Sequence, residues 1–385
     1  MRPSRLKTIG IAVTAAFLVL SQQGTPTANH GLKREAWEPL CLMSVDLDGV
    51  ASNALDAATA VAATALGLEK EALRGQVYLA AKPDDPDNNK LAVLSAYQQT
   101  AAYGIVNNLK DAGLEKALEA TQTTSYLKGK IDEWLNIAQQ TKGASHGCLA
   151  RRSGGTAVAQ AGKSIDGVSC PLAQTKLVKK ATKATKLTDK GFSGLRDPGA
   201  ETGDHQDASS ACRLMHYDDT NGLVKTDPNN ADSKMDYIDG YIHVSSAAGN
   251  KAVLAFGGSD AKPEASRHPA WAAAYAAVQN ELKPTAEEYT NKTDKLTADA
   301  EAEALFALIV SADKPRESTA VQAYKTQLFT ASTADEVKRL MTKVATFKLP
   351  SKFGDKGKDT LLGEITEVNV LAALLADFQL KMHKI

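Results

Sequence analysis

The segment Ala157-Val158-Ala159-Gln160-Ala161-Gly162-Lys163-Ser164 carries the sharpest enzymatic signal in the sequence, because it approximates a phosphate-binding loop with alanine at the first glycine position. Such a loop wraps phosphates in backbone amides between a strand and a helix, with the Lys and Ser serving phosphate and metal. Here the preceding residues 151–156 are no apolar strand, and the segment lies between two cysteines. A nucleotide-binding enzyme is therefore not expected. The seven histidines, His30, His146, His205, His216, His243, His268 and His383, are scattered without metal-ligand spacing or a matching nucleophile. His216-Tyr217-Asp218-Asp219 has the composition of an acid/base cluster, but an Asp-rich stretch beside Asn221-Gly222 reads as a turn. No catalytic residue, cofactor or metal site is expected.

Covalent chemistry of another kind is better marked. Arg2, Arg5 and Lys7 precede an apolar run from Ile9 to Leu20, the pattern of a cleavable secretory leader, here residues 1–28. In an exported chain the four cysteines, Cys41, Cys148, Cys170 and Cys212, read as two disulfides, with three pairings open by count alone. Asn291-Lys292-Thr293 is the single N-glycosylation sequon of the mature chain, and a glycan is expected on Asn291.

The elements that position these groups are mainly helical. From Val45 to Ala81 there is no proline, and Leu47, Val50, Ala54, Ala58, Val61, Ala65, Leu68 and Ala72 recur at steps of three and four, a stripe along one helix face. Residues 83–89 combine two prolines with Asp and Asn and read as a turn whose side chains cap the following helix. A second periodic stretch runs through Leu91, Leu94, Ala101, Ile105, Leu109 and Ala112, then Leu127, Ile131, Trp134 and Ala138. Together they predict an elongated antiparallel helical hairpin, each helix on the order of 65 Å long at 1.5 Å per residue.

From Thr141 to about Asn250 the periodicity vanishes, and irregular loops with short strands such as residues 241–244 are expected, stapled because they bury little apolar surface themselves. The lysine-rich run from Lys176 to Lys190 reads as a solvated loop. It contains no aromatic side chain for base stacking, and the chain as a whole balances 45 basic against 45 acidic residues, so no nucleic acid partner is expected. Helical patterns return at 269–282, 294–311, 317–330, 334–347 and 361–384. Glu364, Glu367, Asp377 and Lys381 interrupt the last too often for a membrane anchor, so it is expected to pack back on the hairpin. The fold class is mainly α: a coiled-coil bundle with disulfide-stapled loop regions and minor β. Its divisions are a helical hairpin at 29–140, a stapled loop region at 141–260 and C-terminal helices at 261–385.

Five motifs in order resemble the class A N-terminal domain of trypanosome variant surface glycoproteins. They are residues 32–41 (LKREAWEPLC), 125–135 (SYLKGKIDEWL), 165–170 (IDGVSC), Cys212-Arg213-Leu214 with Thr220-Asn221-Gly222-Leu223, and His268-Pro269-Ala270-Trp271. The resemblance spans Asn29 to the C-terminus. It implies disulfides Cys41–Cys170 and Cys148–Cys212, a glycan at Asn291, and a homodimer on the external face of the plasma membrane, reached through the endoplasmic reticulum. It also implies a non-enzymatic coat that screens the membrane and changes its loops against host antibodies. The cysteine-rich C-terminal domain and the hydrophobic signal for a GPI-anchor that family members carry are expected to be absent from this chain, leaving membrane attachment to an anchor it does not encode. A receptor or serum-resistance factor that binds a host serum protein is the alternative function.

Overall fold

The computed structural model describes residues 30–151, 157–196, 206–216, 234–245, 252–258, 261–283, 300–310, 319–329 and 334–382. The expected leader at 1–28, the sequon at Asn291 and two of the histidines, His205 and His383, lie outside the described residues.

The apolar stripe forms α1, Arg34–Ala81. Its buried line runs Leu47, Val50, Ala54, Ala57, Val61, Ala65, Leu68 and Ala72, shifting to Ala57 where the sequence pattern pointed to Ala58. The helix also starts at Arg34, ahead of Val45, and carries Pro39 inside it. A proline in a helix costs about 3 kcal/mol. Burial of Trp37, Leu40 and Cys41 around it offsets that cost, and the Trp37 Nε1–H donates to the Ala150 carbonyl at 2.9 Å. After the turn, α2 (Asn88–Asn108) passes through one π-helical turn, Leu109–Gly113, into α3 (Leu114–Gln140). Ser44 meets Asp132 and Gly75 meets Ser95, so the returning helices run antiparallel to α1. Gly75 has a packing reason: a Cβ there would lie 2.1 Å from Ser95 Oγ.

Contacts divide the chain into two compact units. The first takes the chain to Val50, then Gln122–Lys176 and Lys183–Gln279; the second takes Ala51–Thr121, Leu177–Thr182 and the chain from Asn280. In the first unit, β1 (His30–Leu32) pairs with the later strand Gln206–Ala211, and Leu32 exchanges backbone hydrogen bonds with Cys148 and Ala150. β2 (Gln160–Ala161), β3 (Ser164–Ile165) and β4 (Val168–Ser169) form a three-stranded meander, and β5 (Leu187–Thr188) pairs with β6 (Gly191–Phe192). With Gln206–Ala211 as β7, the strands β8 (Met235–Tyr237), β9 (Ile242–Val244) and β10 (Ala252–Leu254) make an antiparallel sheet with β9 central. Against these packs α4, Pro269–Gln279.

The loop region buries more than the sequence led one to expect. Phe192, Tyr241, Phe256 and Trp271 form an aromatic core with ring centroids 4.9 to 6.5 Å apart. Each aromatic brings a large apolar area plus an edge-to-face term. Trp271 Nε1 donates to the Ile238 carbonyl, and Asp239 Oδ2 accepts from the Ala270 amide at the start of α4. Four aromatics spread over 80 residues have no period, so pattern reading missed this core.

In the second unit the core combines Val77, Tyr78, Leu91, Leu94 and Tyr97 with four later helices, α5 (Ala300–Val310), α6 (Thr319–Leu328), α7 (Ala334–Ala345) and α8 (Val368–Met382). α8 packs Leu371, Leu374 and Phe378 into that core, but begins at Val368 where the apolar pattern started at Leu361. The reason is Arg74, whose guanidinium donates to the carbonyls of Gly363 and Ile365, holding residues 362–364 as a separate 3-10 turn. The turn before α2 differs as well. Asp87 makes no side-chain cap; its carboxylate instead accepts both Arg339 nitrogens at 2.8 and 3.0 Å and Lys343 at 2.7 Å.

Candidate functional site

The four cysteines are all buried and occupy positions set by the start of α1 and the strands. Cys41 on α1 is bonded to Cys170, just past β4, with Cα atoms 4.9 Å apart. Cys148 is bonded to Cys212 at the end of β7, with Cα atoms 4.7 Å apart. The first closes a sequence separation of 129 residues and the second 64. Loop closure of that size removes about 4–5 kcal/mol of unfolded-state entropy in each case.

Around the first staple the polar side chains hold the loops onto α1. Arg34 pairs with Asp166 at 2.8 Å in the β3–β4 turn, where Asp166 and Gly167 both have positive φ. Asp46 accepts hydrogen bonds from the backbone amides of Thr185, Lys186 and Leu187, and from the Thr185 hydroxyl. Asp48 takes the amide and hydroxyl of Thr175, and Asn53 Oδ1 accepts from the Thr182 amide. Beneath them Lys128 is buried, with Asp132 at 2.5 Å, Ser44 at 3.1 Å and Asp48 at 3.9 Å. Sequence reading missed these clamps. The available signal was a pair of aspartates flanking the buried Leu47.

The phosphate-loop look-alike has the wrong architecture for its chemistry. Gln160 and Ala161 are β2, Gly162 (φ +62°) and Lys163 are the hairpin turn, and Ser164 begins β3, so a strand follows where a phosphate site needs a helix N-terminus. The Ser164 hydroxyl donates to the Ala161 carbonyl, and the Gln160 amide group donates to the carbonyls of Cys170 and Pro171.

The described histidines are equally dispersed. His30 lies in β1, and His216 is buried after Cys212. His146 Nδ1 accepts from the Ala211 amide. His243 Nδ1 is 2.5 Å from Asp236 across the β8–β9 pair, and this partner together with Lys234 lowers the Asp236 carboxyl below its usual range despite the opposing effect of burial. His268 Nδ1 bonds the Asp239 carbonyl. Among the described residues no three His, Cys, Asp or Glu side chains are grouped to hold a metal ion. No described helix is long and apolar enough to cross a membrane.

The remaining feature is apolar exposure on the long helices. In the second unit Leu55 and Leu66 of α1, and Tyr103, Val106, Leu114 and Leu118 of α2 and α3, are exposed, with Leu66, Tyr103 and Leu118 about two-thirds so. In the first unit Tyr126, Lys130, Glu133, Trp134 and Ile137 of α3 line an open groove of about 520 Å³ with Asp236 and Tyr237. Lys130 Nζ stacks 4.8 Å from the Tyr126 ring.

The model of the trypanosome variant surface glycoprotein (A-type) family matches residues 13–379. Variant surface glycoprotein MITAT 1.1 of Trypanosoma brucei brucei is 25% identical over 382 residues, covering 97% of this chain and 76% of the relative. Variant surface glycoprotein MITAT 1.2 of the same organism is 28% identical over 376 residues, covering 96% of this chain and 78% of the relative. The solved structure of MITat 1.1 superposes with a TM-score of 0.82 at 24% identity, covering 93% of this chain and 97% of that one.

Proposed function

Because the chain belongs to the A-type trypanosome variant surface glycoprotein family, we propose that it is a surface coat glycoprotein that shields the parasite plasma membrane and undergoes antigenic variation against host antibodies. The observation that carries this reading is the family match across residues 13–379. The work is steric rather than catalytic: helices give the layer its substance, and disulfides fix loops that tolerate sequence change because their backbone is held from outside the loops. The chain enters the secretory route through residues 1–28, carries its glycan at Asn291 and is held at the membrane by an anchor. It acts as a homodimer. The exposed apolar positions Leu55, Leu66, Tyr103, Val106, Leu114 and Leu118 support a second copy as their cover. No observation favours the alternative, a receptor for a host serum protein.

Staining of intact parasites with antibody against the oxidised protein is expected to label the whole surface. Label confined to permeabilised cells would overturn the coat reading. Light scattering on the purified, oxidised chain is expected to give twice the chain mass.

A further inference from the structure

Residues 175–185 form a short surface loop pinned to α1 at three points. Thr175 is held by Asp48, Thr182 by Asn53 and Thr185 by Asp46. The two ends therefore meet the helix within a turn of one another, the geometry of a compact Ω-type loop. Cys170 ties the approach covalently to Cys41, and β5 anchors the exit. The backbone is consequently fixed without a helix or sheet of its own.

This loop and its exit carry Lys176, Lys179, Lys180, Lys183, Lys186 and Lys190 against a single acid, Asp189. The three pins bind backbone amides and threonine hydroxyls, so they leave the ammonium groups untouched. Lys176, Lys179, Lys180, Lys183 and Lys190 are exposed, and among the described residues none of the five forms an ion pair. Asp46 and Asp48 beneath the loop offset part of the field but not all of it. Like charges crowded on one small loop raise its energy unless an anion joins them, and a neutral chain has no need of such a concentration for solubility.

We propose that the lysine loop at 175–190 is a docking site for a linear sulfated polysaccharide. Clustered ammonium groups on a pre-fixed backbone suit closely spaced sulfates, because little loop entropy is lost on binding. Nucleic acid fits less well, since no aromatic residue lies between Pro171 and Gly191 for bases to stack on. An anionic bilayer also fits less well. Beside the lysines Leu177 and Val178 are the large apolar side chains exposed, about half of each, and interfacial binding scales with the apolar area buried.

Immobilised heparin tests the proposal with the oxidised full chain. Retention at low salt is expected, with elution moved to lower salt and affinity reduced at least tenfold in Lys179→Gln/Lys180→Gln/Lys183→Gln. These side chains are exposed, so the melting temperature should not change. The logarithm of affinity should fall linearly with the logarithm of salt concentration, with a shallower slope in the variant. Selectively desulfated heparin should not compete. No retention, retention unchanged by the triple substitution, or tighter binding to single-stranded DNA or phosphatidylserine vesicles than to heparin would each overturn it.

Discussion

Asp85 and Asp87 sit where the sequence marks only a turn, yet Arg339 and Lys343 reach them from α7, 252 residues further on in the case of Arg339. Hydrogen bonds from Arg339 to Asp87 and from Lys343 to Asp85 hold both carboxyls below the usual aspartate range. The same cluster, with burial as the larger cause, pushes Tyr78 up to about 12. Carboxyls lowered in the folded state add stability above their unfolded value near 3.9 and lose it as pH falls through the folded values. Melts should therefore be insensitive to this cluster from pH 7 to about 5, with its contribution declining below about pH 4. Asp87→Asn is expected to cost about 1 kcal/mol at pH 7, since Arg339 is half exposed, and to flatten the acid limb of the melting curve. Lys128 is the opposite case, a buried cation between Asp132 and Asp48. Lys128→Met leaves those carboxylates without a cation and should destabilise by about 3–5 kcal/mol in urea unfolding, with much of it recovered in Lys128→Met/Asp132→Leu.

Helices α1 to α3 were legible because their period is written in side chains, and the physical cause of that legibility also sets its bounds. A stripe of Leu, Val and Ala reports which face is covered, but not where the helix begins once another force takes over. Burial of Trp37 and the Cys41 bond carry α1 back through Pro39, and Arg74 cuts the last apolar run at residues 362–364. The proposed dimer rests on outward-facing apolar residues of these helices, Leu66 and Leu118 among them. Leu66→Glu/Leu118→Glu is expected to convert the dimer to monomer at micromolar concentration, read by light scattering, while near-ultraviolet circular dichroism of the chain stays unchanged. In the loop region, Trp271→Ala removes a fully buried ring touching Phe192, Tyr241 and Phe256. A loss of about 3–5 kcal/mol is expected, measured by urea unfolding.

For the molecule as a whole, the staples and the cores divide the task of holding long loops. The pair Cys148→Ser/Cys212→Ser should cost about 2–5 kcal/mol. The pair Cys41→Ser/Cys170→Ser should cost about 0.6 kcal/mol more, because its separation of 129 residues is twice the 64 of the other and each doubling of a closed loop adds that much. Urea midpoints of the two double variants, compared at equal slope, test the order. At the same scale, Asn291→Gln is expected to reduce the mass of the secreted chain by that of one N-glycan, seen by mass spectrometry before and after endoglycosidase treatment.

The sequence by itself determined the helical class, the reversal at residues 83–89 and the family motifs, all of which are local or periodic. Four cysteines alone leave three pairings, and a lysine run alone reads as solvent-facing. Tertiary structure decided which sulfurs meet, gathered Phe192, Tyr241, Phe256 and Trp271 into a core, and set Asp46, Asp48 and Asn53 under the lysine loop. The reason is distance along the chain. Periodicity encodes only neighbours within a few turns, whereas the two disulfides join residues 129 and 64 positions apart and Asp46 reaches Thr185 139 positions on, where packing rather than spacing selects the partner.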